Sequence, residues 1–291
     1  MNIWLDAIRI RQWAKQLLIF LPIIALGQSI EISAIVKISF VALAFSLVAS
    51  TIYLFNDTQD IESDKFDAVR KNRPLVSGKI SKNKVRVFIF FALSISAIIL
   101  KFATDGDSQI QVGALIFIYL FINILYSKFK LKRFKLIGLT IVSIGFSIRF
   151  SIGTLILSLN FSVWAFVLIL QLAMFMLSGK RFQTALRESS SHRQDSGLQF
   201  WLLSMVIFAA FFAATYSGFI TDPEVVAEWG KEALIISTLP LGLGLVRFVE
   251  LVNHPEKYLE SDATESMTKD YLLLFLVTVF AIILFLGRIS V

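Results

Sequence analysis

The chain has 291 residues, 56% of them hydrophobic, with 28 phenylalanines, no cysteine and a formal net charge of +7. A water-soluble domain of this length needs polar side chains over most of its surface, which this composition does not supply. The missing thiol excludes disulfides, thiolate metal sites and cysteine nucleophiles. The basic balance does not point to nucleic acid. Lys and Arg fall between apolar blocks, where membrane topology and phosphate recognition account for them.

Residues 3–15 (IWLDAIRIRQWAK) alternate charged and apolar side chains at helical spacing, with Trp4 and Trp13, and predict an interfacial helix over the N-terminal 1–15. No apolar stretch ends in a small-residue cleavage site, so nothing reads as a removable signal peptide. A transmembrane helix needs roughly 20 mostly apolar residues. By that measure nine spans are predicted, at 16–30, 35–55, 86–104, 109–127, 136–157, 161–178, 198–220, 231–252 and 271–287, the first short and carrying Pro22. No linker rich in Gly, Pro or Ser divides them, so residues 1–291 read as one all-α transmembrane domain, with a motif loop at 56–86.

Cations gather in alternate connections. Arg9, Arg11 and Lys15 precede the first span, eight Lys and Arg lie between Lys65 and Arg86, and five lie between Lys128 and Lys135. Lys180, Arg181, Arg187 and Arg193 follow the sixth span, whereas the connection after the seventh is acidic, with Asp222, Glu224, Glu228 and Glu232. Under the positive-inside rule the N-terminus and the cation-rich loops are cytoplasmic and the C-terminus lies outside.

The residues after the second span read Asn56-Asp57-Thr58-Gln59-Asp60-Ile61-Glu62-Ser63-Asp64. If the span continues as helix, each residue advances about 100°, and Asp57, Asp60 and Asp64 fall within about 60° of one another. Asn56 lies beside them and Glu62 on the far side. Three like charges on one stripe repel, and a bound cation removes that cost; magnesium favours carboxylate oxygens and takes further ligands from substrate phosphates. The plain alternative is a solvated acidic helix end. Arg70, Lys71 and Arg73 follow closely, before Pro74 and Gly78 break the chain. Acid for a metal followed by base for phosphate is the arrangement a metal–diphosphate requires.

At this motif the chain resembles the UbiA superfamily of intramembrane prenyltransferases, whose first aspartate-rich motif, N-D-x-x-D-x-x-x-D, is matched in full at 56–64. Further pieces resemble the branch containing decaprenyl-phosphate phosphoribosyltransferase. Arg9 with Gln12-Trp13-Ala14-Lys15 is similar to its R-x-x-Q-W-x-K, and Arg73-Pro74 with Gly78 to its R-P-x-x-x-G. Tyr126, Leu131-Lys132, Gly145 and Arg149 resemble its fourth-to-fifth helix connection, and Gly179-Lys180-Arg181 its G-K-R. Thr264-Glu265 with Lys269-Asp270 resemble the segment before its last helix. The resemblance implies nine helices around a central cavity open to the cytoplasmic side, in a bacterial inner (plasma) membrane. It implies transfer of phosphoribose from 5-phosphoribosyl 1-diphosphate to a polyprenyl phosphate, with release of diphosphate. The chain departs from UbiA-type prenyltransferases in lacking a second aspartate-rich motif: no Asp or Glu occurs between Lys128 and Asn160, and Gly138 stands where relatives commonly carry an acid.

On this reading Asp57, Asp60 and Asp64 hold magnesium and act in catalysis, with Asn56 as a hydrogen-bonding neighbour. Arg70, Lys71 and Arg73 bind phosphate, and Lys15, Lys132, Lys180 and Arg181 are further phosphate contacts on the same predicted face. Each of these cations also has a bland reading as an interfacial anchor. Tyr126 borders the site or is an interfacial aromatic. Arg149 falls about halfway along the fifth span, so it faces a cavity, a carboxylate or a structural partner. Asp270 caps the last helix or touches the site, and Arg247 takes a surface or packing role. The implied partners are 5-phosphoribosyl 1-diphosphate, polyprenyl phosphate and membrane lipids, not nucleic acid; a homo-oligomer is left open. Prenyl transfer to an aromatic acceptor is the competing enzyme reading, and a transporter the competing class.

Overall fold

The computed structural model describes residues 3–67, 70–159, 162–189, 197–254 and 270–291. Among these residues the regular structure is entirely helical. The short helices α1 (Ile3–Ala7) and α2 (Leu17–Phe20) come first, joined and followed by 3₁₀ turns over Ile10–Gln16 and Leu21–Ser29. Then come α3 (Ile32–Asp64), α4 (Lys82–Ala103), α5 (Gly106–Lys128), α6 (Lys135–Ile156), α7 (Val163–Ser189), α8 (Leu198–Phe219), α9 (Pro223–Trp229), α10 (Lys231–Asn253) and α11 (Tyr271–Ser290). Eight of these, α3–α8, α10 and α11, are long and apolar enough to cross a membrane. They correspond one for one to the eight predicted spans that begin at residue 35. The protein is an all-α, multi-pass membrane protein.

The predicted span at 16–30 is not a continuous helix. Pro22 has no N–H to donate, and Gly27 takes φ 56°, a left-handed value that ends a helix. The segment is instead the one-turn helix α2 followed by a 3₁₀ stretch, and α2 lies so close to α6 that a Cβ at Gly153 would collide with the Ile19 carbonyl oxygen. The interfacial helix predicted over 3–15 is likewise broken, at Arg9, whose backbone is left-handed (φ 54°, ψ 53°). The stretch 56–64, predicted as the start of a loop, is the helical end of α3, which runs for 33 residues.

The chain forms two compact units, one of Met1–Pro22 and Ile30–Phe161, the other of Ile23–Ser29 and Ser162–Val291. In the first, α3 is the buried helix: Ile38, Val41, Ala44, Phe45, Val48, Ala49, Ile52 and Leu54 are all enclosed. Its far end is gripped by an apolar cluster of Ala7, Ile8, Leu54, Leu75, Ile80 and Val85, with Trp4, Trp13 and Phe88 packed around it. That cluster ties α1, the turn at 74–80 and the start of α4 to one place. In the second unit Phe175, Phe182, Trp201, Met205 and Phe248 join α7, α8 and α10. Gly179 belongs to this packing, since a Cβ there would stand 2.6 Å from Phe248. On α4 and α5, Phe90, Phe91, Phe102, Ile110 and Phe117 point outward and uncovered. On membrane helices such side chains meet lipid.

Candidate functional site

The last three turns of α3 carry the aspartates. Because the helix runs unbroken to Asp64, the 57/60/64 spacing keeps its geometric meaning and the three share a face. Asp57 and Asp64 are buried (3% and 1% exposed), while Asp60 is partly exposed. Two carboxylates taken out of water need compensating charge. Arg73 supplies it: its Nη1 donates to Asp57 Oδ1 at 3.1 Å and to Asp64 Oδ2 at 2.6 Å. Arg9 Nη2 donates to the same Asp57 oxygen at 2.5 Å. Arg70 Nη1 stands 3.5 Å from Asp64 Oδ1.

Each arginine is delivered by local backbone. The left-handed conformation at Arg9 ends α1 and lets the chain turn back beside α3, a conformation of modest cost for a non-glycine residue. Beyond Arg73 the chain folds into a tight turn, with Ser77 N–H donating to the Arg73 carbonyl and Ile80 N–H to the Pro74 carbonyl. Gly78 takes φ 75° with open space around it, so it is the backbone angle, not room, that calls for glycine. Leu75 and Ile80 pin this turn into the apolar cluster.

One nitrogen of Arg73 therefore lies between oxygens of Asp57 and Asp64, so a guanidinium supplies the charge compensation that a metal cation would otherwise supply to these carboxylates. Among the described residues no three Asp, Glu or His side chains converge closely enough to hold a metal ion. The donor set fits a divalent cation in chemistry, as hard carboxylate oxygens on one helix face, with guanidinium groups in the compensating role.

The other predicted residues are distributed as follows. Asn56 accepts a hydrogen bond from Ser127 Oγ near the end of α5. Lys71 is exposed beside Arg70. Tyr126 is half-buried near the end of α5, and Lys132 lies in the 3₁₀ turn Leu131–Arg133, its side chain outside the described residues. Lys15 Nζ stands 5.8 Å from the centroid of Phe146. Arg149 is buried, and its guanidinium lies against that same ring, at 5.8 Å, and against Phe45 and Tyr119. Its Nε donates to Gln16 Oε1 at 2.7 Å, and its other nitrogens reach the Gly145 carbonyl and Tyr119 hydroxyl. Among the described residues it has no carboxylate partner; of the expected surroundings the structural partner is present, as Gln16, and the aromatic rings were not anticipated.

Lys180 and Arg181 lie on α7, which belongs to the second unit, and the carboxylates belong to the first. Asp270 accepts the Leu273 N–H as the cap of α11 and pairs with Arg247 at 2.7 Å. Thr264, Glu265 and Lys269 fall outside the described residues. Sequence reasoning gave no role in the site to Arg9 and did not single out Gln16 or Tyr119. Arg9 carried a signal, its place in the opening motif, but its partner is 48 residues away.

Fold and site together define a multi-pass helical membrane protein with carboxylates and guanidinium groups paired at one helix end. The chain belongs to the UbiA prenyltransferase family, whose model matches residues 17–267. It is 31% identical over 195 residues to the uncharacterized protein y4nM of Sinorhizobium fredii, a match covering 66% of this chain and 36% of that protein. It is 28% identical over 218 residues to the decaprenyl-phosphate phosphoribosyltransferase of Mycolicibacterium smegmatis, covering 72% of this chain and 66% of that one. The chain thus spans about a third of the first relative and just under two thirds of the second. Among solved structures, a UbiA homolog from Archaeoglobus fulgidus bound to DMAPP and Mg2+ shares the fold over the full length of both chains, with a TM-score of 0.68 and 15% identity.

Proposed function

We propose that the protein transfers phosphoribose from 5-phosphoribosyl 1-diphosphate to a polyprenyl phosphate. The observation that carries this is the paired charge at the end of α3: two buried aspartates held by arginines from two separate segments. The names of the mycobacterial relatives support the choice of donor and acceptor, as does the absence of any acidic residue between Lys128 and Asn160. A second acidic motif would serve a second metal, whereas cations serve a donor with phosphate at both ends.

Asp57, Asp60 and Asp64, which share one face of α3 without converging in this structure, would hold a magnesium ion directly or through water, and it would supply positive charge against the departing diphosphate. The chain's own residues do the rest. Arg9, Arg70 and Arg73 are already gathered at the carboxylates, and each can move from carboxylate to phosphate as substrate enters. Both halves of that exchange keep every buried charge paired. The ribose C1–O bond to the diphosphate breaks with its electron pair leaving on the diphosphate oxygen. A phosphate oxygen of the lipid forms the new bond to C1. The lipid phosphate is already an anion, so no general base is required, and rate comes from positioning, electrostatics and exclusion of water. Lys15 and Arg149, against one ring, suit an anionic headgroup entering from the bilayer. We place this face in the cytoplasm, where a water-soluble sugar diphosphate arrives.

A second reading, prenyl transfer to an aromatic acceptor, draws on the family and on the DMAPP bound by the Archaeoglobus neighbour. Incubating purified protein and Mg2+ with each donor and acceptor pair, and following lipid products by mass spectrometry, separates the two. A lipid gaining the mass of phosphoribose is expected. Product only from prenyl diphosphate and an aromatic acceptor would replace the first reading with the second.

A further inference from the structure

Beside the carboxylates lies a second polar feature. A cavity of about 350 Å³ opens between the N-terminal segment and the turn after the aspartate motif. Asp6 and Arg9 line one side, and Asn72, Arg73, Pro74 and Lys79 the other. Its size is at the small end of those that take small-molecule ligands. Three of its six named walls are cations and one is an acid; Arg9 and Arg73 already pair with the aspartates, and Lys79 adds a further positive charge. Arg9 and Arg73 face two ways: both line this cavity and both donate to Asp57. Lys79 is exposed and, among the described residues, has no ion-pair or hydrogen-bond partner; the same is true of the Asn72 side chain.

The cavity is held by packing rather than by its own charges. Ala7 and Ile8, next to one wall in the chain, and Leu75 and Ile80, next to the other, are all buried in the cluster around Leu54 and Val85. Those anchors flank Asp6 and Arg9 in sequence on one side, and Asn72, Arg73, Pro74 and Lys79 on the other. The left-handed glycine at 78 reverses the chain directly before Lys79.

We infer that this cavity is the subsite for a phosphate monoester, and specifically for the 5-phosphate of the donor, with Lys79 and Arg9 as its specificity residues. This rests on the phosphoribosyl reading of the same site. A donor of that kind carries charge at both ends of one ribose. With its diphosphate at the aspartates, its far phosphate needs cations a short distance away, on the other side of Arg9 and Arg73. The cavity supplies them from the same unit of the protein, without recourse to Lys180 or Arg181. A prenyl donor carries no phosphate beyond its diphosphate and has no use for Lys79. The same chemistry could come from the headgroup of the lipid phosphate, and the test separates these two sources.

The full-length protein in detergent is titrated, in Mg2+, with 5-phosphoribosyl 1-diphosphate and separately with inorganic diphosphate, as wild type, Lys79→Gln and the surface control Lys82→Gln. Turnover is measured against polyprenyl phosphate concentration in the same variants. Lys79→Gln is expected to weaken the phosphoribosyl donor about tenfold, about 1.4 kcal/mol. It should leave inorganic diphosphate and the KM for the lipid unchanged, and Lys82→Gln should alter none of the three. Equal loss for both diphosphate ligands, or loss for neither, overturns the subsite while wild-type donor binding leaves the parent reading standing. A raised KM for lipid phosphate with donor affinity intact reassigns the cavity to the lipid and overturns the proposal. Failure of wild type to bind the donor, beside clear binding of inorganic diphosphate, overturns the phosphoribosyl reading and the subsite with it.

Discussion

Asp64 in the first unit and Asp270 in the second are both buried aspartates paired with arginine, yet they differ in what else they do. Asp270 Oδ1 accepts the Leu273 N–H at 2.9 Å, and Arg247 adds Nε and Nη2 at 3.2 and 2.7 Å. One of its oxygens is committed to backbone that cannot leave without unwinding the helix start. Asp64 and Asp57, among the described residues, have side-chain partners that are all guanidinium groups. Those groups sit on long flexible stems, and arginine, unlike a helix N–H, can exchange one anion for another. The same ion-pair chemistry thus serves a fixed joint in one place and an exchangeable site in the other.

The largest expected effect comes from breaking the exchangeable member. Asp64→Asn or Asp57→Asn should lower turnover at least about a hundredfold, the scale of losing one electrostatic contact to a developing charge, with the protein still folded and inserted. Rates from detergent-purified variants, beside their thermal midpoints, check this; near-normal turnover in both would equate the two regions. Next comes Arg73→Ala, which leaves two buried carboxylates without the group they share. It should cost about 1–3 kcal/mol in stability as well as activity, and Mg2+ should restore part of the thermal midpoint by taking its place. No shift with Mg2+ would separate the metal from these aspartates.

The fixed joint should behave in the opposite way. Asp270→Ala should lose about 1–2 kcal/mol of stability through the cap and leave Arg247, among the described residues, with Glu250 as its ion-pair partner. KM for both substrates should hold, as measured on the folded fraction. A raised KM for the donor would instead put Asp270 in the site. The smallest effect is expected from Glu62→Gln. Glu62 is exposed and pairs with Lys65 three residues on, so stability should change by less than about 0.5 kcal/mol and turnover by less than twofold.

The parts of the fold legible in the sequence were those governed by local pattern. Eight spans were readable because length and hydropathy alone define them, and the aspartate stripe because the helix of span two continues through it. The break at 16–30 was half visible. Pro22 announced it, but the left-handed angle at Gly27 and the close approach of Ile19 to Gly153 depend on tertiary packing that a hydropathy window does not see. Partners distant in sequence were not legible. Arg9 meets Asp57 across 48 residues, and Arg149 meets Gln16 across 133. Gly179 was legible as part of a motif, but not its place in the packing, where it makes room for Phe248.

The contrast between the two aspartates is tested most directly by titrating inorganic diphosphate into the full-length protein, with and without Mg2+, as wild type, Asp64→Asn and Asp270→Asn. Diphosphate alone is shared by every donor considered, so the result does not depend on which group is transferred. Binding is expected only with Mg2+, at least about tenfold weaker in Asp64→Asn, and at wild-type affinity in Asp270→Asn. Wild-type affinity in Asp64→Asn, or Mg2+-independent binding in the wild type, would contradict the assignment of the α3 aspartates as the metal–diphosphate site.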